Sequence, residues 1–150
     1  MARLMGKSPA TIDSKGRVSL PAKYRKHLPE ELVVVTKDPD KEFPALAIYS
    51  QDDFDTWMDE VLSGKGGYQA NDKNQVLVIT KYYGDAEELR VDSAGRILLP
   101  ADLREYARID KDVMFTGVRD HLTLRNIDIW KAYQESLEEV TAFDEQPAHV

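Results

Sequence analysis

The pattern of apolar and polar positions predicts short strands interrupted by helices. Residues 18–20 alternate between apolar and polar side chains, which indicates a half-buried strand. A continuous apolar run at 32–35 is typical of a buried strand. The breakers at 38–40 then predict a hairpin that returns through 45–49. The segment from Ala10 to Arg25 is expected to form a strand, a turn, a second strand and a short helix.

Helical spacing appears in two later segments. In the first, apolar residues recur every three or four positions, with Asp52 or Asp53 as the expected N-cap: Phe54, Trp57, Met58, Val61 and Leu62. A final helix is expected from Asn126 or Asp128, and it is expected to bury its apolar residues Ile129, Trp130, Tyr133, Leu137 and Val140. Residues 64–67 resemble a flexible linker.

The segment 71–83 fits two structures. The β-branched run at 76–79 favours a strand by composition. Val76, Ile79 and Tyr83 also share one helical face. Both interpretations stay open from the sequence.

A stretch of thirteen residues occurs twice, and the second copy begins 79 positions after the first. The first copy is DSKGRVSLPAKYR at 13–25, and the second is DSAGRILLPADLR at 92–104. Eight of the thirteen positions are identical. Each copy predicts a glycine turn, a short strand and a helix that starts at a proline. In the second half a hairpin formed by 113–115 and 122–124 follows, as in the first.

Such an internal repeat indicates two copies of one small unit related by pseudo-twofold symmetry. Neither half alone is large enough to bury both faces of its strands. We therefore expect a β-rich α+β fold in which the halves interlock around a barrel-like core with peripheral helices. The expected boundaries are 3–62 for the first unit, 63–83 for a linker or helix, 84–137 for the second unit and 138–150 for a frayed tail.

Charge is distributed unevenly along the chain. The net charge is −7, yet residues 1–27 contain seven basic residues and one acidic residue. Such asymmetry favours a localised surface that binds anions. There is no cysteine, which excludes disulfides and thiolate chemistry. No apolar run is long enough for a membrane span and no secretory signal is evident, so a cytoplasmic protein is expected.

The two motif copies, at this spacing and in a chain of this length, closely resemble the MraZ family, and the similarity covers roughly residues 3–137. The resemblance implies an AbrB-like fold of two tandem swapped-hairpin units. It also implies a transcriptional regulator of a division and cell-wall gene cluster, located at the nucleoid. A ring of identical subunits that binds G-rich direct repeats in double-stranded DNA is implied in the same way. The family's Asp-x-x-x-Arg element corresponds here to Asp13 with Arg17 and to Asp92 with Arg96.

The residue types suggest how such an element would bind. Arg17 and Arg96 are the candidates for base contact, because a guanidinium can donate two hydrogen bonds to guanine. Lys15, Lys7 and Arg3 are candidates for phosphate contact. Asp13 and Asp92 are expected to support the turn or orient the arginine, and Gly16 and Gly95 to meet a backbone requirement. Lys23, Arg25 and Lys26 fit DNA contact or an ordinary solvated face equally well.

Three other functions remain open at this point. One is a ring-forming interaction module with nonspecific DNA affinity. Another is an AbrB-like antitoxin that binds a partner toxin through its tail. An enzyme is disfavoured, because no catalytic carboxylate pair, nucleophile triad, phosphate-binding loop or metal spacing accompanies the acidic residues. No cofactor is expected.

Overall fold

The short strands and helices that the pattern predicts are present in the computed structural model, which describes residues 3–28, 31–63 and 66–141. The first half contains β1 (Lys7–Thr11), β2 (Arg17–Ser19), α1 (Ala22–Arg25), β3 (Leu32–Lys37), β4 (Leu46–Tyr49) and α2 (Gln51–Ser63). The second contains α3 (Lys73–Gly84), β5 (Glu87–Arg90), β6 (Arg96–Leu98), α4 (Ala101–Tyr106), β7 (Asp112–Gly117), β8 (Leu122–Asn126) and α5 (Ile127–Leu137).

The strands form one six-stranded antiparallel sheet and one two-stranded ribbon. The sheet order is β1-β7-β8-β4-β3-β5, and the ribbon is β2 with β6. The first strand of each half therefore pairs with the hairpin of the other half, since β1 joins β7 and β5 joins β3. The two hairpins meet at the centre through β4 and β8. Strands from the two halves are therefore interleaved in one sheet.

The sheet is open, so the expected closure into a barrel is not confirmed. Among the described residues, β1 and β5 stand at opposite ends of the sheet order and do not pair with each other. The strands that follow them, β2 and β6, pair together in the separate ribbon instead of extending the sheet. The observed class is an α+β fold with an open antiparallel sheet.

One apolar core joins the ribbon, the sheet and the two short helices that begin after prolines. Its members are buried to 8% exposure or less and include Val18, Leu20, Tyr24, Val33, Ile48, Ile97, Leu99, Leu103, Phe115 and Leu124. Corresponding residues of the two motif copies enter it together, for example Val18 with Ile97. Burial of such side chains is worth about 1.5–3 kcal/mol each, which makes the ribbon an integral part of the fold.

The ambiguous segment 71–83 is helical and forms most of α3. Its N-cap is Asp72, whose carboxylate accepts hydrogen bonds from the backbone N–H groups of Asn74 at 3.0 Å and Gln75 at 3.3 Å. The helix packs on α2, where the ring centroids of Tyr82 and Trp57 are 5.4 Å apart. The cap and this packing outweigh the strand propensity of the β-branched run.

The structure corrects two expectations about helix ends. The α2 helix starts at Gln51, before both expected caps, and the Ser50 hydroxyl rather than Asp52 or Asp53 accepts a hydrogen bond from the first turn, from the backbone N–H of Asp53 at 3.2 Å. In α5 the N-cap is Asn126, as expected, but Leu137 and Val140 are 40% and 68% exposed. They are not buried, because the last residues of α5 are exposed from position 135 onward and Val140 lies beyond the end of the helix. Residues 142–150 of the expected tail, and 64–65 of the linker, lie outside the described residues.

The helices within the described ranges are all too short or too polar to cross a lipid bilayer.

Candidate nucleic-acid interface

The two copies of the motif meet in the β2–β6 ribbon. Its register pairs Arg17 with Leu98, Val18 with Ile97, and Ser19 with Arg96. The central pair is turned inward, since Val18 and Ile97 are each 1% exposed. Successive side chains of a strand alternate between faces, so the other four residues share the outer face. Both candidate base-contacting arginines therefore lie on one surface of one ribbon.

In the first turn, the Asp13 carboxylate accepts three hydrogen bonds, two of them from Arg17 and one from Lys15. Oδ1 accepts from the backbone N–H groups of Lys15 and Arg17, both at 2.9 Å. Oδ2 accepts from Nε of Arg17 at 2.8 Å. The Gly16 N–H donates to the Asp13 carbonyl at 3.0 Å, with Gly16 at φ +86°. The carboxylate thus closes the turn and fixes the near edge of the guanidinium.

The second turn has the same geometry. Oδ1 of Asp92 accepts from the backbone N–H groups of Ala94 at 2.9 Å and Arg96 at 2.8 Å. Oδ2 accepts from Nε of Arg96 at 2.9 Å. Gly95 has φ +81° and donates to the Asp92 carbonyl at 2.9 Å. The sequence repeat is therefore also a repeat of hydrogen bonds.

These contacts keep both carboxylates ionised. The hydrogen bond from the backbone N–H of Arg17 is the main cause that lowers the pKa of Asp13; desolvation opposes it, and the Arg17 guanidinium and the Lys15 N–H lower the pKa further. The backbone N–H and guanidinium of Arg96 lower the pKa of Asp92 in the same way. At neutral pH each turn is a closed ion pair that fastens the arginine.

One edge of each guanidinium remains available. The side chains of Arg17 and Arg96 are 30% and 35% exposed. Within the described part of the chain, the hydrogen bonds to both guanidinium groups are made by Nε with the carboxylate of the same turn. Their Nη groups can therefore donate to an external acceptor with two coplanar sites, such as the O6 and N7 edge of guanine or a phosphate.

The structure assigns the last arginine of each motif copy to the turn of the other copy. Arg25 packs on Gly95, so closely that an added Cβ would lie 1.8 Å from its Nη1, and Nη1 donates to the Ala94 carbonyl at 3.4 Å. Arg104 packs on Gly16, where an added Cβ would lie 3.0 Å from its Cζ, and donates from Nε to the Leu99 carbonyl at 3.1 Å.

The sequence alone did not predict that each arginine contacts the turn of the other copy. Arg104 was not a candidate residue, and Arg25 fitted DNA contact or a solvated face equally well. The signal was present, because both arginines occupy the last identical position of the repeat. A residue kept in both copies of an interlocked pair is a candidate for contact with the partner copy.

The remaining candidate residues fall into two places. Lys15 is exposed within the first turn, beside the ribbon. Arg3 and Lys7 lie elsewhere, around a cavity of about 570 Å³ that Lys23 and Lys26 also line and that no ribbon residue enters. Lys7 Nζ is also 6.0 Å from the ring centroid of Trp130. The structure therefore brings Lys15 together with the arginines and separates Arg3 and Lys7 from them.

The major groove of DNA admits a two-stranded ribbon, and an arginine can bind guanine there, so an α+β scaffold with two equivalent arginine turns on one ribbon defines a candidate nucleic-acid-binding protein. Comparison with known proteins is consistent with this class. The family model for the MraZ protein, which is described as antitoxin-like, matches residues 4–66 and 82–148. The chain belongs to the MraZ family, and its expected resemblance to that family is confirmed.

Relatives named transcriptional regulator MraZ are similar along most of their length. The protein from Caldanaerobacter subterraneus subsp. tengcongensis is 36% identical over 148 residues, which cover 98% of this chain and 96% of the relative. That from Chromobacterium violaceum is 36% identical over 129 residues, covering 83% and 82%. The family is one of transcriptional regulators rather than enzymes.

Proposed function

We propose that this protein is a sequence-specific DNA-binding regulator of a division and cell-wall gene cluster, and that it binds G-rich direct repeats through the β2–β6 ribbon. The observation that carries the proposal is the pair of Asp–Arg turns with matching hydrogen bonds on the outer face of one ribbon. The names of the relatives support a role in transcription.

Each turn prepares its arginine for guanine. Asp13 holds the Nε edge of Arg17 at 2.8 Å, so the guanidinium loses little further freedom on binding. The Nη edge then donates to O6 and N7 of a guanine in the major groove, a bidentate contact worth about 1–3 kcal/mol of discrimination. Asp92 prepares Arg96 equally.

The ribbon geometry suits a short G-rich element. Arg17 and Arg96 are diagonal neighbours, because Leu98 lies opposite Arg17 and two residues from Arg96. Such neighbours are about 7–8 Å apart. That distance is about two base-pair steps of about 3.4 Å. A two-stranded ribbon also fits the width of the major groove.

Basic residues outside the ribbon supply affinity. Lys15 is exposed in the first turn, and we propose that it contacts a phosphate beside the bases bound by Arg17. Arg3 and Lys7, with the basic residues around their shared cavity, provide a second phosphate-binding surface. Each neutralised phosphate adds about 0.9 to the slope of log affinity against log salt.

A ring of identical subunits would multiply this small footprint. We infer that the halves 3–62 and 84–137, joined by 63–83, are swapped-hairpin units and that several chains assemble head to tail. Subunits along one side of the ring then bind successive direct repeats, and tethering raises the overall affinity. Such a protein would act in the cytoplasm at the nucleoid. Light scattering should find a defined oligomer, and a monomer that binds repeat DNA tightly would contradict the ring.

Fluorescence anisotropy tests the proposal with a G-rich direct-repeat duplex and a scrambled duplex over a range of salt concentrations. The variants are Arg17→Ala and, as a control for lost charge, Lys131→Ala, which removes an exposed cation on α5. Wild type and Lys131→Ala should prefer the repeats, and Arg17→Ala should lose that preference.

If wild type binds both duplexes equally, the ribbon contributes to the fold and not to recognition of the DNA sequence. A ring-forming interaction module with nonspecific DNA affinity then explains the protein better.

A further inference from the structure

The outer face of the ribbon departs from the symmetry of its turns. Two of its four residues, Arg17 and Arg96, are equivalent in the two motif copies. The other two are also equivalent in position but differ in chemistry, since the first copy has Ser19 and the second has Leu98. Leu98 is 56% exposed although arginines share its face. An exposed leucine between two cations is unexpected on a surface that serves only to attract phosphate.

The strand register divides this face into two unlike ends. Leu98 lies directly opposite Arg17, and Ser19 lies directly opposite Arg96. Residues paired in this way have Cβ atoms about 4.5–5.5 Å apart and point to the same side of the ribbon. One end therefore combines an arginine with an apolar group, and the other combines an arginine with a hydroxyl.

The major groove offers one apolar group that matches this arrangement. Each base pair presents hydrogen-bond donors and acceptors there, and thymine adds its C5 methyl group. A base next to a guanine is about 3.4 Å away along the strand. The spacing between Arg17 and Leu98 thus fits contact with a guanine and with a methyl group on an adjacent base pair.

We propose that Leu98 is a specificity-determining residue that contacts the 5-methyl group of a thymine beside the guanine bound by Arg17. The inference rests on the proposed function, because it assumes that the ribbon enters the major groove. Ser19 makes no equivalent apolar contact at the Arg96 end. The two ends of the ribbon therefore recognise different base pairs, so the ribbon binds its site in one orientation. This suits direct repeats, whereas two identical ends would favour a palindrome.

The probes are repeat duplexes in which the thymines beside each guanine run are kept or replaced by deoxyuridine, which removes only the methyl group. A second pair carries cytosine or 5-methylcytosine at those positions. Wild type should bind the methylated member of each pair about fourfold more tightly per contacted methyl. Leu98→Ser, which copies the residue of the other end, should bind both members equally.

Val118→Ser is the control, because Val118 is an exposed apolar residue, 43% exposed, outside the ribbon. It should keep the methyl preference of wild type. Equal binding of thymine and deoxyuridine probes by wild type overturns the inference but leaves guanine recognition intact. A Leu98→Ser variant that keeps the methyl preference also overturns it, and a changed mass in light scattering would then identify Leu98 as a subunit contact. If wild type binds the repeat duplexes no more tightly than scrambled DNA, the proposed function is wrong, and the inference fails with it.

Discussion

Replacing Gly95 with alanine places a methyl group where the Arg25 side chain already lies. The added Cβ would be 1.8 Å from Arg25 Nη1, 2.5 Å from its Cζ and 2.8 Å from its Cδ. Gly95 also has φ +81°, a conformation that costs an L-residue about 1–2 kcal/mol. Backbone strain and a steric conflict therefore act together at this position.

The structure contains a control that separates the two effects. Gly67 has φ +86°, and an added Cβ would have no heavy atom within 4 Å. Gly67→Ala should thus lower the free energy of unfolding by about 1 kcal/mol through strain alone. Gly95→Ala also displaces Arg25 and its hydrogen bond to the Ala94 carbonyl, which adds about 0.5–1.5 kcal/mol. We expect a total loss of about 2 kcal/mol.

Urea unfolding of single and double variants at one fixed protein concentration measures these terms. In the Arg25→Ala background, Gly95→Ala should cost about 1 kcal/mol, the same as Gly67→Ala, because the clash is gone. The resulting coupling of about 1 kcal/mol exceeds the usual departure from additivity of about 0.3–0.5 kcal/mol. If Gly95→Ala costs the same with and without Arg25, the proposed support of each turn by the other copy is wrong.

Three further predictions concern the arginines and their carboxylates. Arg17→Lys keeps the charge but not the planar fork, so anisotropy titrations should show about a tenfold loss of preference for the repeats with an unchanged salt slope. Arg125→Ala should lower the free energy of unfolding in urea by about 3 kcal/mol. Arg125 is only 3% exposed, and its guanidinium donates to the Phe43 carbonyl at 3.3 Å and to the Thr123 hydroxyl at 3.4 Å. An unchanged midpoint of urea unfolding would contradict this prediction. The lowered pKa of Asp92 means that its contacts stabilise the fold above the ordinary carboxyl pKa of about 3.9 and are lost as the pH falls through the folded value. The stability difference between wild type and Asp92→Asn should therefore shrink between about pH 5 and pH 2, and a constant difference would count against the role of the carboxylate.

The motif repeat and the local periodicities predicted most of the elements, because both depend on side chains close in sequence. Both hairpins are present, the strand expected at 32–35 lies within β3, and the strand expected at 18–20 is shifted by one residue in β2. Segment 71–83 needed tertiary information, although Asp72 was a local cap signal that could have favoured the helix. The strand order depends on pairing between distant residues, which no local pattern specifies; closure into a barrel was expected, and the observed sheet is open.

In the candidate site too, contacts between residues close in sequence were predicted and contacts between distant residues were not. The ion pair within each turn joins residues four positions apart and was anticipated as turn support for Asp13 and Asp92. The packing of Arg25 on Gly95 joins residues seventy positions apart, and no local pattern indicates it. Separation of Lys7 from the ribbon likewise depends on the path of β1 along β7. Only the fold could divide the basic N-terminal segment into two surfaces.

The central claim is that the guanidinium edges of Arg17 and Arg96 bind guanine in the major groove. Replacing guanine by 7-deazaguanine in the repeat duplex removes the N7 acceptor and leaves base pairing intact. Wild type should lose about tenfold in affinity or more on this substitution, whereas an Arg17→Ala, Arg96→Ala double variant should bind both duplexes with the same weak affinity. Equal binding of the two duplexes by wild type would contradict the account.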